Sequence, residues 1–161
     1  EISECLVGSE MCIRDRYQSD TGMLMARYPV GVAQAAYLDS KEPNLGGIYE
    51  NVVAQQLAAQ NRQLYYYQTK KRGEVDFVGD GPDGTAVPIE VKSGSYYHAH
   101  AALGHVLDTA EYGVRLGIVF SRGNVERNGA VLYLPLYATW ALSDVLGDSC
   151  AEGIKLEVKP V

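Results

Sequence analysis

Residues 74–92 constrain this chain more than any other stretch, because they describe two strands joined by a tight turn, with acids on both. In Glu74-Val75-Asp76-Phe77-Val78, alternation puts Val75 and Phe77 on one face and Glu74, Asp76 and Val78 on the other. In residues 86–92, Val87, Ile89 and Val91 share one face, and Pro88, Glu90 and Lys92 share the other. The linking Gly79-Asp80-Gly81-Pro82-Asp83-Gly84-Thr85 is dense in turn residues. An antiparallel pair is symmetric about its turn, here centred near Pro82 and Asp83, so Asp76 falls opposite Glu90 or within one residue of it.

Directly opposed residues have Cβ atoms about 5 Å apart, and like charges there repel. Two readings fit. The charges are the solvated face of an amphipathic strand, as is common. Alternatively, the two carboxylates share a divalent cation, which prefers carboxylate oxygens. Lys92, on the same face as Glu90, then balances the acids, orients a water or stabilises charge on a phosphate oxygen.

Upstream, Leu45, Ile48, Tyr49, Val52, Val53 and Leu57 recur at helical spacing, with Asn44 as a cap. Glu50 falls at the edge of that apolar stripe, where it either folds outward to solvent or points into a site beside the sheet. Residues 64–68 form an aromatic strand containing Tyr65, Tyr66 and Tyr67. Residues 99–112 have helical spacing, and residues 116–120 and 130–134 are strands parted by a polar loop at 121–128. Residues 137–146 make a last short helix. From residue 45 the order is helix, three strands, helix, strand, strand.

Hydrophobic residues make up 47% of the 161, enough to bury one core and no more than one domain. No apolar run has the length of a membrane span and no secretory signal opens the chain, so the expected location is the cytoplasm. A net charge of −6 argues against a uniformly basic nucleic-acid surface. The one basic run, Lys70-Lys71-Arg72, is a solvated turn or a local phosphate contact. Cys5, Cys12 and Cys150 lack the spacing of a zinc or redox motif. Residues 1–16 show no strand or helix period and resemble translated sequencing-adapter DNA, so they are set aside as a doubtful segment.

Asp76 followed by Glu90-Val91-Lys92 across a hairpin resembles the PD-(D/E)XK nuclease signature, with Val75 where the strict signature has proline. More closely, Asp20-Thr21-Gly22-Met23-Leu24, Gly47-Ile48-Tyr49-Glu50-Asn51, Glu74-Val75-Asp76-Phe77, Pro88-Ile89-Glu90-Val91-Lys92-Ser93-Gly94 and Leu134-Pro135-Leu136-Tyr137 are similar to a C-terminal domain of unknown function behind AAA-type ATPases of bacteria and archaea.

The resemblance covers residues 17–140. It implies an α/β, restriction-endonuclease-like core, a mixed central sheet flanked by helices. By it, Asp76 and Glu90 bind Mg²⁺ or Mn²⁺, Glu50 completes the site and Lys92 assists the attacking water. It also implies DNA or RNA as substrate and an upstream ATPase region. The organisation expected is a remnant of that region and linker at 17–44, the nuclease-like domain at 45–146 and a tail at 147–161. No phosphate-binding Gly-x-x-x-x-Gly-Lys-Ser/Thr loop is present, so ATPase activity is not expected of this fragment.

Other residues are assigned blander roles. His98, His100 and His105 are read as solvated helix residues, with phosphate contact as the alternative. The tyrosines, including Tyr96 and Tyr97, pack or stack nucleobases, with packing preferred. Ser93 and Ser121 lack a base partner for a hydrolase triad. Trp140 is expected in the core or an interface. Three functions follow: a metal-dependent phosphodiesterase, a non-catalytic module on the same scaffold, and a dimerisation domain.

Overall fold

The computed structural model describes residues 17–38, 40, 44–62, 65–69, 73–81 and 84–146. The cysteines, the basic run 70–72 and the turn centre at 82–83 lie outside these described residues.

Two short helices, α1 (Thr21–Met25) and α2 (Val30–Tyr37), precede α3 (Gly46–Ala59). Three strands follow: β1 (Tyr65–Thr69), β2 (Gly73–Asp80) and β3 (Ala86–Val91). Helix α4 (Ala101–Asp108) and a 3₁₀ turn (Ala110–Tyr112) lead to β4 (Gly117–Ser121), β5 (Glu126–Asn128) and β6 (Val131–Pro135). A 3₁₀ segment (Leu136–Ala141) runs into α5 (Leu142–Leu146).

The fold is mixed α/β: a six-stranded sheet of order β1-β2-β3-β4-β6-β5, flanked by helices. β1, β2 and β3 are antiparallel neighbours, β3, β4 and β6 run parallel, and β5 closes the edge antiparallel to β6. The crossover between parallel strands carries α4, as a parallel connection requires.

Each face of the sheet has its own core. On one, Val53 and Leu57 of α3 and Leu142 and Leu146 of α5 pack on Phe77, Ile89, Ile118, Phe120 and Leu134. On the other, Val106 of α4 packs with Tyr67, Val75 and Val78, while Leu103 packs with Val119, Val131 and Tyr133. Both faces of the central strands are covered, so β4 and β6 are buried along their whole length.

The expected order is refined in four places. The polar stretch at 121–128 contains β5, an edge strand whose Glu-Arg-Asn sequence has no apolar alternation. The helix expected over 99–112 is α4 and then a 3₁₀ turn, with extended backbone at Thr109 between them. The last helix begins as a 3₁₀ segment. Trp140 is half exposed, outside the core.

Strict alternation also fails in β2. Val75 and Val78 pack together on the α4 face, whereas Phe77 enters the α3 core. Pairs Tyr65↔Val78 and Tyr67↔Val75 bracket a bulge, in which Asp76 and Phe77 oppose the single residue Tyr66. The sequence Val75-Asp76-Phe77-Val78 has two adjacent apolar residues, and no regular strand can bury Val75 and Val78 in one core and Phe77 in the other. One extra residue resolves the conflict, and it falls at the first acid of the candidate site.

Candidate metal centre

The β2–β3 register is Phe77↔Ile89, Val78↔Pro88, Gly79↔Val87 and Asp80↔Ala86, which aligns Asp76 with Glu90 one step beyond the last pair. The turn that fixes it is braced by Gly81 N–H donating to Thr85 O at 2.7 Å, with Gly84 in the left-handed region at φ 67°. Beyond Phe77 and Ile89 the pairing stops, and Val91 N–H donates to Asp76 Oδ2 at 2.7 Å. The carboxylate thus takes the place of a ladder carbonyl where β2 and β3 part. This position follows from the bulge, not from the two-face alternation expected of the sequence.

From β3, Glu90 is 5% exposed and paired across the sheet with Val119. Lys92 Nζ contacts Glu90 Oε1 at 2.5 Å. Glu90 Oε2 is buried and has no hydrogen-bond partner among the described residues. Lys92 N–H donates to Phe120 O at 2.8 Å, so its backbone is fixed on β4 while its ammonium serves the acid.

Glu50 reaches the same region from the first turns of α3. A Cβ placed on Gly46 would lie 3.9 Å from Ser93 Oγ and 4.0 Å from Glu50 Oε1, so the helix start sits over the chain just past Lys92. The N-cap is Leu45, without a side-chain cap, and not Asn44 as expected; Asn44, one residue earlier, accepts from Gly46 N–H through Oδ1 at 3.1 Å. Tyr17 Oη donates to Glu50 Oε2 at 3.4 Å. A cavity of about 240 Å³ opens beside Glu50, walled by Tyr17, Leu24, Tyr28, Gly47 and Asn51.

These charges meet at Asp76. Its pKa is raised from 3.8 to about 7, first by burial, and further by the charges of Glu50 and Glu90. The hydrogen bond from Val91 and the ammonium of Lys92 pull the other way and do not prevail. Glu50, Glu90 and Lys92 therefore each act on the charge of Asp76. Among the described residues, no three His, Cys, Asp or Glu side chains converge closely enough to hold a metal ion between them.

The basic run Lys70-Lys71-Arg72 lies outside the described residues. His105 is an exposed residue of α4, as expected. His98 is exposed as expected and His100 is half-buried, but neither is a helix residue: both precede α4 and lean on Tyr133. His100 Nε2 lies 2.7 Å from Tyr133 Oη, and the His98 ring stands 4.8 Å from the Tyr133 ring. Sequence reasoning also missed Asn51, 1% exposed, which accepts from Gln18 N–H at 2.7 Å and donates to Gln18 O and Thr21 Oγ1. Thr21 in turn donates to Gln55 Oε1 through both its backbone N–H and its hydroxyl. Its signal was a polar residue inside the apolar stripe of α3.

A family model described as a domain of unknown function, DUF4143, matches residues 45–138, more than half of the chain. The chain belongs to this family. The DUF4143 match takes in Glu50, Asp76, Glu90 and Lys92, the whole sheet and α3 and α4. Helix α1, which Asn51 ties to α3, precedes it. No curated protein matches this DUF4143 chain, and no solved structure matches it.

No described helix is long and apolar enough to cross a membrane.

Proposed function

We propose that this DUF4143 domain is a restriction-endonuclease-like core that hydrolyses phosphodiester bonds of DNA or RNA with Mg²⁺ or Mn²⁺. The observation that carries the reading is the pairing of Asp76, anchored on Val91 N–H, with a buried Glu90 whose Oε2 lacks a partner among the described residues. An orphaned buried carboxylate oxygen beside a second, strongly desolvated carboxyl is costly without a cation. The donor set fits a hard divalent ion: Mg²⁺ commonly takes one or two carboxylates and fills its remaining positions with water and substrate phosphate. Bound between Asp76 and Glu90, such an ion would neutralise phosphate charge and lower the pKa of water. Lys92 would hold Glu90 in place and donate to a phosphate or water oxygen, and Glu50 would supply a further acceptor from α3.

On the same reading, resting on resemblance alone, the domain works in the cytoplasm as the C-terminal part of an AAA-type ATPase whose ATPase region lies upstream.

Cleavage of labelled DNA and RNA with Mn²⁺ tests this. Asp76→Ala and Glu90→Ala should fall to background, and Lys92→Ala should lose about 10²- to 10³-fold. Cleavage that survives the double carboxylate change would sink the mechanism. The lack of a third converging ligand among the described residues favours a second reading, a non-catalytic module that binds nucleic acid or a partner and helps the ATPase assemble. Calorimetry separates the two. Mn²⁺ heat that vanishes in Asp76→Asn supports the metal centre, and silence through millimolar Mn²⁺ supports the module.

A further inference from the structure

The chain leaving β3 past Lys92 does not turn back at once. Residues 93–100 leave the end of β3 at the acidic site and pass onto the α4 face of the sheet, over Tyr133 in the middle of β6. Both ends are pinned. Lys92 is held by β4 and Glu90, and His100 Nε2 lies 2.7 Å from Tyr133 Oη. Tyr133 is 2% exposed, and the rings of Tyr97 and His98 stand edge-on to it at 5.8 and 4.8 Å. The middle is pinned too: a Cβ on Gly123 would lie 2.7 Å from Tyr97 Oη, so Tyr97 rests directly on the β4–β5 loop.

Tyr96, on this fixed segment, is 90% exposed. An aromatic ring held out to solvent by a pinned backbone costs apolar exposure and contributes nothing to the core. Glu90, Val119 and Tyr133 form one cross-strand row, which sets Tyr133 two strands, or about 10 Å, from Glu90. Gly94 has open space around it, so another chain can pass close to the backbone between Lys92 and Tyr96. His98, also exposed, lays its ring on Tyr97 at 4.3 Å and turns Nε2 toward Glu126 Oε2 at 3.9 Å.

We propose that residues 93–100 are a stacking platform for single-stranded nucleic acid, with Tyr96 taking a nucleobase of a strand whose phosphate contacts Lys92. The inference rests on the reading of the acidic site as phosphodiester chemistry and names its substrate as an unpaired or locally melted strand. Stacking suits this domain because a net charge of −6 limits what phosphate attraction can supply, and every base offers a ring face.

Fluorescence anisotropy of a labelled oligothymidine with the full chain in EDTA tests the platform without cleavage. Tyr96→Ala should weaken binding about 5- to 150-fold. Tyr96→Phe should retain it. The ratio should persist as salt is raised, since a stacking contact releases no counterions. Gly123→Ala, which displaces Tyr97, should weaken binding with Tyr96 intact. Equal binding by wild type and Tyr96→Ala, equal loss in Tyr96→Phe, or no binding of single strands by the wild type overturns the inference. Asp76→Asn separates the two claims. Tyr96-dependent binding that survives in Asp76→Asn, with no cleavage by the wild type, keeps the platform and rejects the nuclease. Mn²⁺-dependent cleavage that Tyr96→Ala leaves unchanged does the reverse.

Discussion

Asn51 and Glu90 are both buried polar side chains, and they are treated in opposite ways. Asn51 spends its amide fully: its oxygen accepts from Gln18 N–H, and its nitrogen donates to Gln18 O and Thr21 Oγ1. Glu90 has one oxygen on Lys92 and the other buried without a partner among the described residues. Nearby Asp76 is pushed to about 7 by burial and two neighbouring acids. A fully satisfied buried polar group fixes structure, while an unsatisfied one destabilises the fold by itself. The contrast separates what holds α1 onto α3 from what the sheet keeps in readiness, and it explains two resembling motifs differently. Asp20-Thr21-Gly22-Met23-Leu24 and Gly47-Ile48-Tyr49-Glu50-Asn51 are two halves of one clamp, from which only Glu50 turns toward the acids.

The largest effect should come from the satisfied side. Asn51→Ala strands Gln18 N–H, Gln18 O and Thr21 Oγ1 at once, and should cost about 2–4 kcal/mol of stability in urea denaturation. A loss under about 0.5 kcal/mol would mean that water replaces the amide and the clamp is weak. On the frustrated side the sign reverses. The folded protein keeps the Asp76 proton up to about pH 7, whereas an ordinary aspartate loses it near 3.8. Protonation therefore favours the folded state. That contribution is complete below about pH 3.8 and is lost as pH rises through 7. Without metal the wild type should be less stable at pH 8 than at pH 5. Asp76→Asn keeps an oxygen for Val91 N–H and removes the charge, so it should stabilise the metal-free protein at pH 8 by about 1–3 kcal/mol, allowing for solvent screening. Equal stability of variant and wild type at pH 8 would show that Asp76 is not strained.

The same contrast marks what the sequence made legible. Turn residues centred at Pro82 and Asp83 foretell the register that aligns Asp76 with Glu90, because pairing about a hairpin is a matter of counting. The bulge at Asp76 and Phe77 is not countable from one strand. It depends on Tyr66 of β1 and on two cores competing for Val75, Phe77 and Val78. β5 escapes for a different reason: its Glu126-Arg127-Asn128 has no apolar face and is ordered only by pairing with β6. The order of helices and strands follows from periodicity, whereas the mixed sheet flanked by helices is what the family resemblance implied. The clamp around Asn51 does not, since a polar residue within a helical stripe gives no hint of its partners thirty residues away.

The smallest and sharpest test concerns Glu50, which borders both the cavity and the acids. Its charge raises Asp76 less than burial does, and removing it leaves burial and Glu90 in place. Glu50→Gln should lower the Asp76 titration midpoint toward 3.8 without restoring it, as followed by NMR of a labelled aspartate carboxyl. The gain in stability at pH 8 should be a few tenths of a kcal/mol, well under that of Asp76→Asn. Tyr17→Phe, which removes only the hydroxyl on Glu50 Oε2, should leave the midpoint lowered little or not at all. If Glu50→Gln leaves the Asp76 midpoint unmoved, Glu50 belongs to the clamp and cavity alone, and the acidic site consists of the two strand carboxylates and Lys92.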